Sequence, residues 1–543
     1  MRDPLPNPFY YLDNFQQVLD WVSRRHGDLL DATERTFIET FGSLPQASRA
    51  LLVRMVMRKG ELFRASKLTY QEIGCPHAAA EPLAALGWIE TAPLLSGTQL
   101  FALLNKAELL GAFAPSGLSG LRKAELFERL ADRLTGERPL ADWCPALAER
   151  VFGLRIGDCC ERLRLMFFGN LRQDWSEFVL ADLGIHRYEQ VEFSAASRAF
   201  ACRADIDAYL QLQRCRDAFD GGAAAAEVLA CIPREAFANP WLESRRGKLL
   251  LRLGLQFERD GELGEALRVH AGNRYAGARE RAIRVLERCG QLQAALELAD
   301  QAAAAPESEH EAQQLQRIVP RLRRGLSGIP QPRPRDGAVE RLDLELPYCG
   351  LRVEQAVCEH LGLADAPVHY VENALLGSLF GLLCWDALFA PLPGAFFHPF
   401  HWAPADLDRP DFQQRRAGLF QQCLARLDSD DYREWIRRTY RAKAGIHCAF
   451  VAWGLLAEEL LEQALACIPA RDLKLIFQRI LGDVRTNRSG LPDLVQFWPA
   501  ERRYRMIEVK GPGDRLQDNQ KRWIEYAGQH GLPISVCHVR WAG

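Results

Sequence analysis

Residues 489–523 read SGLPDLVQFWPAERRYRMIEVKGPGDRLQDNQKRW, and this stretch decides the fold of the C-terminal part of the chain. The runs LVQFW and YRMIEVK are typical of strands, and the short PAERR segment between them predicts an antiparallel hairpin. Because side chains alternate along a strand, Glu508 and Lys510 share one face of the second strand. Asp493 directly precedes the first strand. The hairpin therefore predicts that Asp493 and Glu508 lie side by side.

Two neighbouring carboxylates and one ammonium group form a set suited to phosphodiester hydrolysis. A hard divalent ion such as Mg²⁺ or Mn²⁺ prefers carboxylate oxygens and lowers the pKa of the water it binds. The ammonium group adds positive charge that stabilises the transition state. We therefore interpret Asp493, Glu508 and Lys510 as catalytic residues and the two acids also as metal ligands. Ordinary polar residues on a half-buried hairpin are the alternative.

The same stretch resembles the PD-(D/E)XK nucleases, whose signature is a P-D pair followed at a distance by E-x-K. The longer pattern, S-G-L-P-D-L, then E-V-K-G-P-G-D-R-L, then Q-x-x-W, is similar to the VRR-NUC branch of these nucleases. The whole chain resembles the Fanconi-associated nucleases in their bacterial form. YYLDNF, RKGELFRASKLTYQEI and HYVENALLGSLFGLLCWDALF occur here in the order typical of that family.

The resemblance implies further residues of the site. Glu372 matches a metal-binding glutamate of the family, and its spacing from apolar neighbours separately predicts a buried helical acid, which must be paired, protonated or metal-bound. The backbone carbonyl of Val509 is implied as another metal ligand. Gln520 is implied to be a further catalytic residue that lines the site and supports Lys510 or the attacking water. A salt-bridged core acid and a satisfied interior glutamine are the alternatives.

Two arginines upstream of the hairpin are candidates for binding phosphate. Arg485 and Arg488 lie in DVRTNRSG, which we expect to be a loop that presents flexible cations. The resemblance implies that Arg485 belongs to a basic pocket for a 5′ phosphate. Asn519 stands where eukaryotic members of the family carry a lysine, so we expect this pocket to be incomplete.

The composition is that of a globular chain with several domains. Its 543 residues exceed what one core organises, and 48% hydrophobic with 25% charged residues excludes wholesale disorder. The net charge of −2 neither requires nor excludes nucleic acid. The 15 cysteines form no C-x-x-C pairs, and we find no leader peptide or membrane-spanning run. We expect a reduced, cytoplasmic, nucleoid-associated bacterial protein without a membrane partner.

Four segments of the chain differ in character. Residues 1–98 predict amphipathic helices that bind DNA, and residues 99–140 resemble a SAP module, a small helical DNA-binding unit. Residues 141–327 predict TPR-like helical repeats, with a plain helical bundle as the alternative. Residues 328–543 predict the nuclease domain, opened by a Pro- and Gly-rich linker at 328–337. The predicted fold is therefore multi-domain and mostly α, with a C-terminal α/β domain built on a small mixed sheet.

Basic residues in the first two segments predict a surface that contacts DNA. The candidates are Arg54, Arg58, Lys59, Arg64, Lys67 and Lys123. Arg54 and Arg58 are four positions apart, which predicts one helical face. Cations that displace condensed counterions supply most non-specific affinity for DNA. A solvated helix face is the alternative.

Together these patterns predict a metal-dependent, structure-specific DNA endonuclease, and the resemblance implies that its substrate is of the 5′ flap type. The resemblance implies an additional 5′–3′ exonuclease activity and a role in interstrand crosslink repair. It implies branched or flapped duplex DNA and other repair proteins as partners of a monomer or weak dimer. Two alternatives stay open. One is a Holliday-junction resolvase, which needs two sites related by a dyad, and the other is a non-catalytic scaffold that binds branched DNA.

Overall fold

The computed structural model describes residues 7–113, 120–194, 197–329, 339–348 and 350–542. These residues divide into two compact units. The first unit contains the chain up to His186 and also Ala199–Ile206. The second unit contains Arg187–Arg198 and the chain from Asp207 onward. The centre of the predicted SAP-like turn, 114–119, and most of the predicted linker, 330–337, lie outside the described residues.

The first unit consists of short helices around two small antiparallel sheets. Its elements are α1 (Tyr10–His26), α2 (Ala32–Ser43), α3 (Gln46–Val56), β1 (Leu62–Arg64), α4 (Pro76–Ala85), β2 (Ile89–Glu90), β3 (Leu95–Ser96), α5 (Gly97–Leu103), α6 (Lys106–Phe113), α7 (Lys123–Arg129), β4 (Glu137–Arg138), α8 (Leu140–Trp143), β5 (Val151–Leu154), α9 (Gly157–Phe168) and α10 (Ser176–Asp182). Strand β5 lies between β1 and β2, and β3 pairs with β4. A capping box between Asp31 and Glu34 starts α2.

Two predictions for this unit were wrong. Helix α3 ends at Val56, so Arg58 lies beyond it and does not share a helical face with Arg54. The repeat segment was predicted to begin at residue 141, but β5 pairs with β1 and β2 inside the first unit. All four residues of β5 are buried. A short apolar run of this kind carries no periodicity that separates a strand from a buried helical segment.

Successive helices that pack each on the next begin the second unit. They are α11 (Arg203–Asp220), α12 (Ala225–Cys231), α13 (Pro240–Asp260), α14 (Leu263–Ala271), α15 (Ala278–Arg288), α16 (Leu292–Ala304) and α17 (Glu309–Ser327). Contacts run from α12 to α17 in chain order. Asn239 caps α13 by accepting the Trp241 N–H, and left-handed Gly261 ends it. This nearest-neighbour packing is that of a helical repeat array.

A five-stranded mixed sheet with helices on both faces completes the second unit. Its elements are β6 (Glu340–Pro347), α18 (Val353–Leu361), β7 (Val368–Tyr370), α19 (Leu375–Leu383), α20 (Trp385–Leu388), α21 (Phe412–Arg415), α22 (Ala417–Ala425), α23 (Asp431–Lys443), α24 (Glu458–Cys467), α25 (Ala470–Gly482), α26 (Val484–Asn487), β8 (Leu494–Trp498), β9 (Arg503–Lys510), α27 (Asp518–His530) and β10 (Ile534–Ala542). The predicted fold class is confirmed.

The strand order of this sheet is β6-β10-β9-β8-β7. Strands β8 and β9 form the predicted antiparallel hairpin, with Leu494 opposite Ile507. Strands β9 and β10 are parallel and are joined through α27, because parallel neighbours need a crossover. Strand β7 pairs antiparallel with β8, although residues 371–493 separate them in sequence. The sheet therefore brings together the two ends of a long helical insertion.

The two faces of β9 pack against different cores. Ile507 and Val509 face a cluster that includes Val357 of α18. Met506 faces the larger cluster built by the helical insertion and α27. Since side chains alternate, Glu508 and Lys510 point to the same side as Met506. Within the described residues, no helix combines the length and the apolar character that crossing a bilayer requires.

Removal of Asp406 is expected to destabilise the helical insertion strongly. Its carboxylate accepts two hydrogen bonds of 2.9 Å from the buried guanidinium of Arg416. Asp406→Ala leaves that charge buried without its partner, which costs about 3–5 kcal/mol. The measurement is the midpoint of urea unfolding, compared with Asp411→Ala. Asp411 pairs with Arg409 at the surface, where an ion pair is worth about 0–1 kcal/mol. Equal effects of the two variants would contradict this expectation.

Candidate active site

The segment before β8 fixes Asp493 at the end of the sheet. Asp493 is only 7% exposed. Its backbone carbonyl accepts the N–H of Val371 at 2.8 Å, and its carboxylate Oδ2 accepts the N–H of Val509 at 2.8 Å. The first contact ties Asp493 to the residue after β7, and the second ties it to β9. Asp493 is therefore held from both neighbouring strands.

Glu508 and Lys510 lie beside Asp493 on one face of β9, as the alternation predicted. Glu508 is 1% exposed and Lys510 is 7% exposed. The ammonium Nζ of Lys510 is 2.7 Å from Oε1 of Glu508. The structure thus brings together two carboxylates and one ammonium group at the end of the hairpin.

The two carboxylates make an electrostatically unfavourable pair. Burial, and then the negative charge of Asp493, raises the pKa of Glu508 to about 8, although Lys510 opposes the change. Burial also raises the pKa of Asp493, and the charges of Glu372 and Glu354 add to this effect. Two acids that interact this strongly cannot both carry a charge at little cost. The pair needs a proton or a cation.

The structure places Glu372 differently from the prediction. Helix α19 begins at Leu375, so Glu372 lies before the helix and is exposed rather than buried on an apolar stripe. Tyr370 donates a hydrogen bond from its hydroxyl to the Glu372 carboxylate. The helical spacing of the leucines does not extend backward, because Asn373 has a left-handed conformation with φ of 53°.

Asn373 joins the segment that carries Glu372 to the segment that carries Asp493. Its side-chain Oδ1 accepts the N–H of Leu491 at 3.0 Å. Asparagine tolerates the left-handed conformation better than most residues, and it also supplies this acceptor. Glu372 therefore lies close enough to Asp493 to raise its pKa, although 120 residues of helical insertion separate them.

Two residues near the carboxylates were missed by the sequence analysis. Hydrogen bonding to Glu372 and then burial raise the pKa of Tyr370 to about 12. Glu354, in the first turn of α18, acts electrostatically on both Tyr370 and Asp493. In the sequence, RVEQAV and PVHYVE carry no spacing that separates these residues from ordinary polar positions. Only the packing of α18 and β7 beside β8 brings them near the site.

The proline of the P-D pair lies where a β-ladder partner of the Val509 carbonyl would otherwise be. Val509 gives its N–H to Asp493, so both of its polar backbone groups point toward β8. Continuing the register that pairs Leu494 with Ile507 puts Pro492 opposite Val509. Proline has no N–H to donate to the carbonyl.

The donor set fits a hard divalent cation. Across the described ranges, no three His, Cys, Asp or Glu side chains stand close enough to hold a metal by themselves. In this conformation Glu372 therefore does not complete a three-carboxylate group, because its side chain faces Tyr370. Asp493 and Glu508 nevertheless lie next to Val509, and carboxylate and carbonyl oxygens are donors of the kind that Mg²⁺ and Mn²⁺ prefer. Their raised pKa values are the sign of unbalanced negative charge that a cation would neutralise.

Gln520 has a different contact from the one that was predicted. Its Oε1 accepts the N–H of Gln517 at 2.8 Å, as part of a capping box at the start of α27. The amide therefore stabilises the helix that follows the site. Helix α17 holds the same turn, because Arg317 makes two hydrogen bonds of 2.8 and 2.6 Å to Asp518.

The segment that carries the two upstream arginines was predicted to be a loop, but part of it forms the short helix α26. Arg485 is exposed on the short helix α26, with its guanidinium 5.4 Å from the ring centre of Tyr275. Arg488 lies just beyond that helix, with its guanidinium 3.6 Å from Asp408. The Asn519 backbone passes close to Gly490, where an added Cβ would lie 2.7 Å from it.

The predicted DNA-contacting cations fall into two groups. Arg54 bonds Glu72 at 2.7 Å and lies over the Tyr11 ring, and Arg64 bonds both Glu108 and Glu149. These two arginines serve the fold. The exposed cations are Arg58, Lys59 and Lys67, with half-buried Lys123 at the start of α7. Arg58 donates to the Lys67 carbonyl at 2.9 Å, so the exposed cations lie together.

Comparisons with known proteins agree with this geometry. Three family models match the chain: the VRR-NUC domain at residues 427–541, the FAN1 HTH domain at 9–90, and the Fanconi anemia-associated nuclease SAP domain at 94–143. The fold and the site thus define a nuclease of the VRR-NUC class, which hydrolyses DNA phosphodiester bonds and depends on a divalent metal. The predicted resemblances to SAP and VRR-NUC domains are confirmed.

Full-length relatives identify the family. The chain is 56% identical over 541 residues to a Fanconi-associated nuclease 1 homolog of Pseudomonas aeruginosa, covering 99% of this chain and 97% of that protein. A crystal structure of paFAN1 bound to 2nt 5′ flap DNA with a gap matches with a TM-score of 0.96 and 55% identity over 100% of both chains. A homolog from Arabidopsis thaliana is 25% identical over 98% of this chain and 67% of that protein. The chain belongs to the Fanconi-associated nuclease family.

The shifted pKa of Glu508 predicts how metal-free stability changes with pH. An unfolded glutamate releases its proton near 4.5, whereas native Glu508 keeps it up to about pH 8. Between these values the native state binds more protons, so the free energy of unfolding falls as pH rises. Glu508→Gln cannot ionise, so its advantage over the wild type should grow from about pH 5 to about pH 8, by on the order of 4 kcal/mol, and then level off.

Urea unfolding in the presence of a chelator, from pH 5 to 9, measures this effect. Glu501→Gln is the matched control, because Glu501 is exposed in the turn between β8 and β9 and pairs with Arg503. That variant should follow the wild-type pH curve. Parallel curves for wild type and Glu508→Gln would show that Glu508 is not protonated in the native state.

Proposed function

We propose that this chain is a structure-specific endonuclease that cuts DNA near a 5′ flap, with 5′–3′ exonuclease activity, in DNA repair and in interstrand crosslink repair. The observation that carries the proposal is the convergence of Asp493, Glu508 and Lys510 at the end of the β8–β9 hairpin. Support for the substrate comes from the full-length likeness to paFAN1, which is described as bound to 5′ flap DNA.

Four groups would hold a Mg²⁺ or Mn²⁺ ion. They are the carboxylates of Asp493, Glu508 and Glu372 and the backbone carbonyl of Val509. Glu372 would take part by turning from Tyr370 toward Asp493, a rotation that its exposed position permits. When bound, the ion supplies an acidified water and neutralises charge on the phosphate.

The protein's own groups orient the reacting atoms and place protons. Lys510 keeps its ammonium at the carboxylate of Glu508, and its other N–H groups are free to donate to a phosphate oxygen or to the attacking water. The Val509 N–H holds Oδ2 of the Asp493 carboxylate, so Oδ1 would be the oxygen that binds the ion. Gln520 acts through the helix that it caps, which keeps α27 against this end of the sheet.

DNA would be bound by exposed cations rather than by base recognition. Arg58, Lys59 and Lys67 are suited to phosphate contacts, and Lys123 would add another from the SAP module. Arg485 and Arg488 would bind phosphate near the cut, with Arg485 in a 5′ phosphate pocket that Asn519 leaves incomplete. The paired arginines Arg54 and Arg64 would support this surface indirectly.

We propose a division of labour between the predicted segments, in which the helical array α11–α17 takes the place of the full repeat segment. Residues 1–98 and 99–140 would bind the duplex, the helical array within 141–327 would buttress the nuclease, and residues 328–543 would cut. We propose that the chain acts as a monomer or weak dimer on one flap, near the nucleoid and with other repair proteins. A resolvase would instead cut a four-way junction symmetrically, so native mass and paired nicks on such a junction separate the two activities.

Asp493→Asn is expected to abolish cleavage and to preserve DNA binding. Asparagine keeps an oxygen that can accept the Val509 N–H, but it removes the charge that a cation requires. Disturbing only the surroundings of a metal ligand typically costs about 10–100-fold, so we expect a loss of more than about a hundredfold. The measurements are single-turnover cleavage of a 5′ flap with Mg²⁺ or Mn²⁺, and flap binding with Ca²⁺.

Glu501→Gln, on the same hairpin, is the control and should cut like the wild type. Near-normal cleavage by Asp493→Asn would refute the assignment of Asp493. If the wild-type protein binds flap DNA but does not cut it with either Mg²⁺ or Mn²⁺, the chain is a non-catalytic scaffold that binds branched DNA.

Removing the exposed cations is expected to weaken binding and to flatten its salt dependence. Each phosphate contact that is lost should reduce the slope of log K against log salt by about 0.9. The variant carries Arg58→Ala, Lys59→Ala and Lys67→Ala, and binding is measured by anisotropy between 50 and 200 mM salt.

Arg35→Ala is the control, because Arg35 is an exposed cation on α2 outside the proposed surface. Its salt slope should equal that of the wild type. An unchanged slope in the triple variant would mean that these cations only face solvent.

A further inference from the structure

An exposed apolar surface lies directly beside the catalytic carboxylates. Tyr370 is 40% exposed and Leu455 is 49% exposed. They border one narrow depression, which is also lined by Val371, Ala374, Leu375, Ser378, Leu456 and Leu460. We call the exposed rim of this depression the Tyr370–Leu455 surface. Single exposed apolar residues need no explanation, but two on one depression next to an active site do.

The fold anchors both Tyr370 and the backbone of Leu455. Tyr370 ends β7, and its hydroxyl donates to Glu372. Leu455 ends a tight turn in which its N–H bonds the Ala452 carbonyl at 2.9 Å. The N–H of Ala452 bonds Ser378 Oγ on α19 at 3.0 Å, so the turn is anchored to the core.

Folding does not account for the exposure of Leu455. The chain buries the adjacent Leu456, which is 2% exposed, and also Leu460, which is 6% exposed. Leu455 stays outside, facing the same depression as the tyrosine ring. Leaving a leucine in water forgoes the favourable free energy of burial. A partner that covers the surface would recover it.

The charges around this surface decide which chemical group it accepts. Glu372, Glu354 and Asp493 all act on the Tyr370 hydroxyl, so the edge of the surface is negative. A phosphate would be repelled there unless a cation lies between. A nucleobase is neutral and has two flat apolar faces, which suit an aromatic ring and a leucine.

We propose that the Tyr370–Leu455 surface binds an unpaired nucleobase next to the phosphate that is cut. This rests on the proposed function, because the same carboxylates must bind that phosphate. A base inside a duplex is already stacked on its neighbours and cannot reach the surface. An unpaired base at a flap can, so the surface favours flapped over fully paired DNA. Tyr370 and Leu455 are thus specificity-determining residues of the site.

Binding of a 5′ flap duplex by the full chain in Ca²⁺, without cleavage, tests the proposal. Tyr370→Ala and Leu455→Ser should each weaken binding of the flap by about tenfold, since stacking of one base contributes on that scale. Neither variant should weaken binding of the fully paired duplex. Tyr370→Phe keeps the ring and should bind the flap within about twofold of the wild type.

A scan with abasic nucleotides identifies the bound base. An abasic residue is placed in turn at each position on either side of the cut. At one position the abasic nucleotide should lower the affinity of the wild type by about tenfold. On that abasic flap, the wild type and Tyr370→Ala should have the same affinity. At the other positions the difference between the two proteins should persist.

The outcomes separate this inference from the proposed function. A wild type that cuts flaps, but for which no abasic position removes the effect of Tyr370→Ala, overturns the inference and leaves the flap nuclease intact. Equal weakening of flap and duplex binding by both variants would also overturn it, since that pattern indicates a general structural defect. A wild type that neither binds nor cuts flaps refutes the proposed function itself.

Discussion

The repulsion between two buried carboxylates is the constraint on which the rest of the site depends. Asp493 and Glu508 lie side by side where water is nearly excluded, and an unpaired charge there costs several kcal/mol on the order-of-magnitude scale for buried ions. Lys510 offsets part of the negative charge, and the Val509 N–H offsets another part. The remaining negative charge must be neutralised by a proton or a cation. The burial that strains the metal-free site is therefore also what gives it a preference for a hard cation.

The fold maintains this strained arrangement by holding the site from several directions. Residues 371–493 form a helical insertion whose ends meet again at β7 and β8, through the contacts of Val371 with Asp493 and of Asn373 with Leu491. The large apolar core of the insertion fixes both ends. From the other side, α17 of the helical array binds the first turn of α27 through Asp518. The array is thus part of what positions the nuclease sheet.

Sequence patterns predicted correctly those features that depend on adjacent residues, and failed for features that depend on residues far apart in the chain. Alternation placed Glu508 and Lys510 on one face, and a short turn placed Asp493 beside them, because both are properties of adjacent residues. Glu372 was assigned to a helix because the leucines after it have helical spacing, but left-handed Asn373 ends that pattern. Arg54 and Arg64 look like free cations in the sequence. Their acidic partners, such as Glu72 and Glu149, lie up to 85 positions away.

The sequence by itself determined the hairpin, the choice of candidate catalytic groups and the mostly helical class, since these depend on local periodicity and on residue chemistry. Only the tertiary structure decided which groups are buried, which cations are free and which residues border the carboxylates. Burial and pairing arise between segments far apart in the chain, so no local pattern encodes them. Tyr370 illustrates the difference. In the sequence it is an ordinary residue of a short strand, but the pairing of β7 with β8 brings it near the carboxylates of the candidate site.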